Sequence, residues 1–441
     1  MRGEFGNESE RALEWVKISF GERKDHFLES SDYAVLFKTL CISFIKQEGA
    51  MEKKKFIRGI TGGILFSFLI SSSFSQDVMD VKEIARRVVV ESLHLGEKDF
   101  VTINTWAHTL DLAEALALEA MKVGAVPTIL FESDNLYRSV LSEVPEENLR
   151  KTPLPMLSAL DAITAEISLS GPKDPSVFEA GSPARTSAMN EASHPLMEKS
   201  RERKIRGAYI QYGFATPERA KRYGVDHTTW SQGLSGALTA DLMKISEEGT
   251  RIAVIFENAK TIEVTHSNGT KIKMKLAGRK ANVQDGIVEA EDIAKGHLWT
   301  TLPTGSVAVA PLETSVSGKV VIEKMALWGK VVKNLTWEFK EGRLVAYRAS
   351  ENVDVFSDFL NGATGEKDRF ASLSIGLNPK AAPTGVNLTD WIVRGAVSFG
   401  IGNNEELGGE NETDFEWNAT LLGATVKVDG QTLVEKGQLK I

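Results

Sequence analysis

The residues able to do chemistry are unevenly spread along this 441-residue chain. Its histidines end at His297 and its single cysteine is Cys41, so residues 298–441 hold neither imidazole nor thiolate. The same region carries four segments rich in Gly, Pro and Asn, at 302–311, 371–379, 395–402 and 411–418. Such residues shape a backbone because they permit turns and close approach. Ser306, Ser372 and Ser398 lie in the first three segments, Glu416 and Asn418 in the last. A serine nucleophile needs an imidazole base, and none is available within the region. A metal centre built there alone would rest on carboxylates, which suit Mg or Ca better than a transition metal. Glu405, Glu406, Glu410, Glu412, Asp414 and Glu416 crowd one stretch, but without the spacing of a calcium loop. They read as a solvated acidic loop bent at Gly408-Gly409, with an oxygen-ligand cation site as the weaker alternative. His94, His108, His194, His227, His266 and His297 show no ligand spacing and read as structural. No residue is assigned a catalytic role.

Composition sets further bounds. With 42% hydrophobic and 25% charged residues, the chain is expected to form soluble globular domains, two or three in number. A net charge of -8 and the absence of any long basic run argue against a nucleic-acid partner. One cysteine excludes an intrachain disulfide.

From Met51 the chain has the layout of a secretory signal peptide: Lys53, Lys54, Lys55 and Arg58, then an apolar run over 60–70, then small residues before Gln76. The expectation is a secreted chain, periplasmic or extracellular, with its signal over 51–75 and residues 1–50 a non-native upstream extension. Asn268, Asn334, Asn387, Asn411 and Asn418 each begin an Asn-x-Ser/Thr sequon, as a secreted protein allows.

Residues 76–249 read as an N-terminal α/β domain. Helical spacing over 81–93 and 109–123 alternates with β-branched runs over 100–104 and 126–131, a βαβ unit whose strands should be parallel. Strand-like runs follow at 162–169 and 206–212. Residues 171–202 are expected as a long exposed loop or lid, and 226–248 as one helix ended by Gly249. From 250 the period becomes two, with 251–256 as the first strand and a hairpin turn at Asn268-Gly269. Residues 250–441 thus read as a β-rich α+β domain. No phosphate loop or dinucleotide fingerprint is present.

The series Leu302-Pro303-Thr304-Gly305, Ala310-Pro311, Gly376-x-Asn378-Pro379, Gly395, Gly402-x-Asn404, Gly408-Gly409 and Val428-Asp429-Gly430 resembles the aminopeptidase T family of metallo-aminopeptidases. Leu95-Gly96-Glu97 and Gly124-Ala125-x-Pro127 extend the likeness into the first domain. The resemblance implies an α/β domain with a parallel sheet, then a β-rich α+β domain with a two-metal centre that activates water, in a homodimer. The family's ligands are Glu, Glu, His and a His-x-Asp pair. Carried over, they fall on Ser306, Ser372, Ser398, Glu416 and Asn418, so every ligand is replaced. Trp391, Phe415 and Trp417 stand beside these positions, either filling volume or lining an apolar pocket. The expectation is a non-catalytic pseudo-peptidase without a metal, holding a peptide or small ligand or serving a structural role. An active aminopeptidase using divalent ions at a rebuilt carboxylate site is the first alternative, and an envelope or surface-assembly protein the second.

Overall fold

Parallel strands need crossover connections, and the first half of the chain supplies them as helices. A computed structural model describes residues 80–441 apart from 277, 328 and 414. The signal segment at 51–75 and the extension at 1–50 lie outside the described residues. Strands β1 (Phe100–Trp106), β2 (Val126–Glu132), β3 (Ala165–Leu169), β4 (Arg206–Ile210) and, after three strands of the other sheets, β8 (Trp299–Leu302) form a parallel sheet in the order β2-β1-β3-β4-β8. The β1–helix–β2 unit is the one expected. Leu112 and Leu116 of the helix Leu110–Lys122 pack with Val101 and Ile103 of β1, all buried. Gly124 closes that helix at φ +87°, and a Cβ there would meet the backbone and side chain of Glu97 in the Leu95-Gly96-Glu97 turn. Glycine alone takes both the angle and the contact without strain.

Three expectations fail in this half, each for a local reason. Residues 171–202 are not a loop or lid: after a 3-10 turn at Pro175–Ala180, a 20-residue helix runs from Pro183 to Glu202, its first turn capped by the Ser182 hydroxyl. Its polar composition and the internal Pro195 hide the apolar stripe that normally announces a helix. Residues 226–248 are not one helix. The chain breaks at Thr239-Ala240-Asp241 into His227–Leu238 and Leu242–Asn258, and the Asp241 carboxylate caps the second. Gly249 therefore sits inside a helix, and the expected strand at 251–256 is its last turns. Ile245, Ile252 and Phe256 recur there at helical spacing and are buried. The alternation of Arg251-Ile252-Ala253-Val254 fits either period, and burial decides it. Residues 249 and 250 lie inside this helix, and β8 from beyond it joins the parallel sheet.

Two antiparallel sheets build the rest. The larger has eight strands in the order β12-β11-β10-β6-β5-β16-β17-β18, made of β5 (Thr261–Thr265), β6 (Lys271–Lys275), β10 (Ser317–Leu327), β11 (Lys330–Lys340), β12 (Arg343–Arg348), β16 (Thr425–Val428), β17 (Gln431–Glu435) and β18 (Gln438–Leu439). The smaller has five, β15-β14-β13-β9-β7, from β7 (Asn282–Gln284), β9 (Ser306–Val309), β13 (Phe370–Gly376), β14 (Val397–Gly402) and β15 (Glu416–Leu421). Hairpins form at Asn268-Gly269 and Asp429-Gly430 as expected. Residues 390–396 are not strand: a 3-10 turn at Asp390–Ile392 precedes β14.

One core holds these sheets and the helix Leu242–Asn258 together, with Phe256, Val264, Ile322, Trp337, Phe370 and Phe399 among its fully buried side chains. Gly249 marks a close approach of that helix to the sheet: a Cβ there would stand 2.4 Å from Val283 Cγ1. Gly249→Ala should therefore destabilise the fold by about 1–3 kcal/mol through overpacking, against the roughly 1 kcal/mol that alanine gains as a helix former. Urea unfolding checks this, and a more stable variant would show that the contact relaxes freely.

Candidate functional site

The five-stranded sheet carries all five positions picked out in the sequence. Cross-strand partners in an antiparallel sheet share a face, and residues two apart along a strand do too. Ser306 pairs with Gly376 and with Gln284; Ser374 pairs with Ser398, and Ser398 with Thr420; Ser372 pairs with Gly400, and Gly400 with Asn418; Glu416 pairs with Gly402. Ser306, Ser372, Ser398, Glu416 and Asn418 therefore share one face with Gln284, Ser374 and Thr420. The other face holds Val307, Leu373, Ile375, Phe399, Ile401 and Ala419 in the core.

Sharing a face is not meeting at a point. Strands lie about 4.8 Å apart and rise about 3.4 Å per residue, which puts the Cα atoms of Ser372, Ser398 and Asn418 roughly 8–10 Å from one another. By the same spacing Ser306 and Glu416 stand at opposite ends of a diagonal, about 25 Å apart. The middle three are the ones brought together. Gly400 lies between them, and a Cβ there would stand 2.3 Å from Ser372 Oγ and 2.9 Å from Asn418 Oδ1.

Hydrogen bonds along the face are local, and all but the one to Glu416 join neutral groups. Ser306 Oγ donates to Gln284 Oε1 at 3.1 Å, Ser398 Oγ and Thr420 Oγ1 are 2.9 Å apart, and Asn418 Nδ2 donates to Glu416 Oε1 at 3.2 Å. Ser306, Ser372 and Ser398 are buried, whereas Glu416 and Asn418 remain exposed. The Glu416 carboxyl is nonetheless pushed above its usual range, chiefly because surrounding protein displaces its hydration; the Asn418 amide opposes this and Glu406 adds to it.

This donor set does not suit the metal centre that the family resemblance implies. Neutral hydroxyls, one amide and one carboxylate replace the imidazoles and charged oxygens that hold zinc or cobalt. Among the described residues no three His, Cys, Asp or Glu side chains converge to hold a metal. Four histidines are engaged elsewhere: His108 with the Gly213 carbonyl, His227 with that of Ala215, His266 with the Asn268 amide, and His194 beside Glu198.

The acidic loop is braced rather than coordinated. Asn404 Oδ1 accepts from the Asn411 amide while its Nδ2 donates to the Ala371 carbonyl, and the Glu410 amide donates to Glu313. Burial opposes ionisation of Glu313, but Arg279 and the Glu410 amide hold its carboxyl down at about 2. Asn411 is fully buried, its Nδ2 donating to the carbonyls of Phe370 and Gly402, so this sequon is closed in the folded chain.

The three aromatic residues do not act as one group. Phe415 and Trp417 both pack on Phe359, with ring centroids 4.9 and 5.0 Å away, and Trp417 Nε1 donates to Met325 Sδ at 3.0 Å. They fill the core side of β15. Trp391 lies apart, in the 3-10 turn after buried Asp390, whose carboxylate accepts from the Thr384 and Gly385 amides. Sequence reasoning missed Ser374, Gly400 and Thr420, which a strict period of two from Ser372, Ser398 and Asn418 would have found. Gln284 comes from β7, and no motif points to it.

The thermophilic metalloprotease (M29) family matches residues 78–368. The match includes Ser306 and ends before Ser372, Ser398, Glu416 and Asn418. The fold is similar to the wild-type AmpT structure from Thermus thermophilus, with a TM-score of 0.66 and 20% identity over 82% of this chain and 99% of that one. A weaker likeness, with a TM-score of 0.48 and 14% identity, is to 2,5-dihydroxypyridine dioxygenase from Pseudomonas putida KT2440, over 82% of this chain and 96% of that one. No curated protein matches the chain in sequence.

Because its folded-state pKa is raised, Glu416 favours folding while protonated, and that contribution is lost as pH rises through the raised value. Glu416→Gln keeps an acceptor for Asn418 and removes the charge. It should raise the thermal midpoint at pH 7, with the gain fading as pH falls through the raised folded-state value and gone below about 4, where both folded and unfolded carboxyls are protonated. Thermal scans across this range check it, and a variant less stable than the parent at pH 7 would contradict it.

Proposed function

The chain belongs to the thermophilic metalloprotease (M29) family, and we propose that it is a member that has given up metal-dependent peptide hydrolysis for binding. The observation that carries the reading is the chemistry of the sheet face. The family resemblance carries two Glu, two His and an Asp onto Ser306, Ser372, Ser398, Glu416 and Asn418; the three of these that lie together, Ser372, Ser398 and Asn418, are neutral. Metal-assisted hydrolysis needs a bound cation to polarise a carbonyl and lower the pKa of water. Neutral hydroxyls and an amide do neither, but they do offer donors and acceptors to a peptide or small polar ligand. The chain is proposed to be exported by the signal at 51–75 and to act outside the cytoplasm as a homodimer.

A second reading keeps the family's metal dependence and uses divalent ions. Its support is the cluster of acidic residues at Glu405, Glu406, Glu410, Glu412 and Glu416, of which Glu406 is close enough to Glu416 to act on its carboxyl. Two carboxylates and the Asn418 carbonyl are a hard-oxygen set, suited to Mg or Ca rather than zinc.

The two readings separate in a single assay series. Release of N-terminal residues from short peptides should stay at background when the mature chain is supplied with cobalt, zinc, manganese or magnesium. Turnover that a chelator abolishes and Glu416→Gln removes would establish the second reading. Mass spectrometry of the native protein should find its N-terminus near Gln76; a peptide from the first 50 residues would contradict export by this signal.

A further inference from the structure

A separate set of polar groups lies at the carboxyl ends of the parallel strands. The strand order reverses at β2-β1-β3, and in open α/β sheets such a reversal leaves a crevice beyond the strand ends where ligands bind. The segments leaving β1, β3 and β4 bring His108, Ser170 and Gln211 to this edge, and the helix Pro217–Tyr223 adds Arg219.

Arg219 is the unusual member. It is only 6% exposed, yet among the described residues no carboxylate lies within ion-pair distance of it. Its Nη2 donates to the Pro172 carbonyl at 2.7 Å, its guanidinium carbon stands 4.4 Å from the centre of the Phe214 ring, and its Nε has no partner. The guanidinium lies against the end of β3, with Nη2 3.4 Å from where a Cβ on Gly171 would stand. Ser170, 5% exposed, has an unpartnered Oγ, and Gln211 Oε1 and His108 Nδ1 are unpartnered too.

Neighbouring carboxylates are partly engaged, although Glu218 Oε2 is buried without a partner. Asp134 accepts from the Lys173 and Asp174 amides, Asp174 from the Ser176 amide and hydroxyl, and Glu218 faces Lys173 at 3.2 Å. Burial lowers the Arg219 pKa and outweighs the opposing pull of the Tyr209 and Tyr223 hydroxyls and of the Asp134 and Asp174 carboxylates, which act on it without a direct ion pair. A guanidinium held in this way is a ready donor to a carboxylate or phosphate.

We propose that Arg219, Ser170, Gln211 and His108 form a binding site for a small ligand bearing a carboxylate or phosphate. Arg219 Nε and the Ser170 hydroxyl donate to the oxyanion, and Gln211 Oε1 accepts from the rest of the ligand. The site is independent of the fate of the metal positions.

The test uses the full mature chain at constant ionic strength, titrated with inorganic phosphate and, separately, with succinate, while the thermal midpoint is followed. One of the two should raise the midpoint in a saturable way. A response to phosphate alone assigns a tetrahedral oxyanion, and a response to succinate alone a carboxylate. The shift should vanish in Arg219→Gln, and the apparent affinity should fall roughly tenfold in Ser170→Ala, the scale of a lost hydrogen bond to a charged group. If Arg219→Gln fails to fold, Ser170→Ala decides alone. No saturable response in the parent chain, meaning internal water satisfies these groups, would overturn the proposal. So would a response that the variants leave unchanged.

Discussion

A β-strand turns alternate side chains to opposite faces, and the five-stranded sheet uses that rule to hold two incompatible environments one residue apart. Val307, Leu373, Phe399 and Ala419 point into the core; Ser306, Ser372, Ser398 and Asn418 point the other way. A slip of one residue in any pairing would bury hydroxyls among aromatic rings and expose the core. The fixed register of β9, β13, β14 and β15 is thus the constraint on which both the core and the polar face depend. It also means that residues on the polar face can change while the fold persists. Exchanging a charged ligand for serine on one face leaves the packing on the other untouched.

Much of this was legible in the sequence because it rests on short-range rules. The β1–helix–β2 unit follows from helical spacing flanked by β-branched runs, and the hairpins at Asn268-Gly269 and Asp429-Gly430 follow from turn chemistry. That Ser306, Ser372, Ser398, Glu416 and Asn418 fall on one sheet was legible because Gly and Pro pin the segments around them. What escaped depends on contacts distant in sequence. The helix Pro183–Glu202 has too polar a stripe to announce itself, and the helix Leu242–Asn258 is told from a strand only by the burial of Ile245, Ile252 and Phe256. Gly249 looked like a terminator because glycine usually ends helices. Here it stands inside one, where Val283 leaves no room for a Cβ.

The same limit applies to the site. Sequence order could place Ser306 and Glu416 near metal-ligand positions, but only strand pairing shows that they lie at opposite ends of the face, with Ser372, Ser398 and Asn418 between them. Phe415 and Trp417, adjacent to these positions in sequence, turn out to serve the core through Phe359. Adjacency along a strand is therefore a poor guide to a shared pocket, because neighbours alternate between faces.

The central claim is that this face no longer holds a catalytic metal, and the metal-to-chain ratio of the native protein tests it most directly. After purification without chelator and equilibration with zinc or cobalt followed by exhaustive dialysis, elemental analysis should find metal well below one equivalent per chain. One or two tightly held equivalents, lost when Glu416 is replaced, would contradict the account and restore the face as a metal centre.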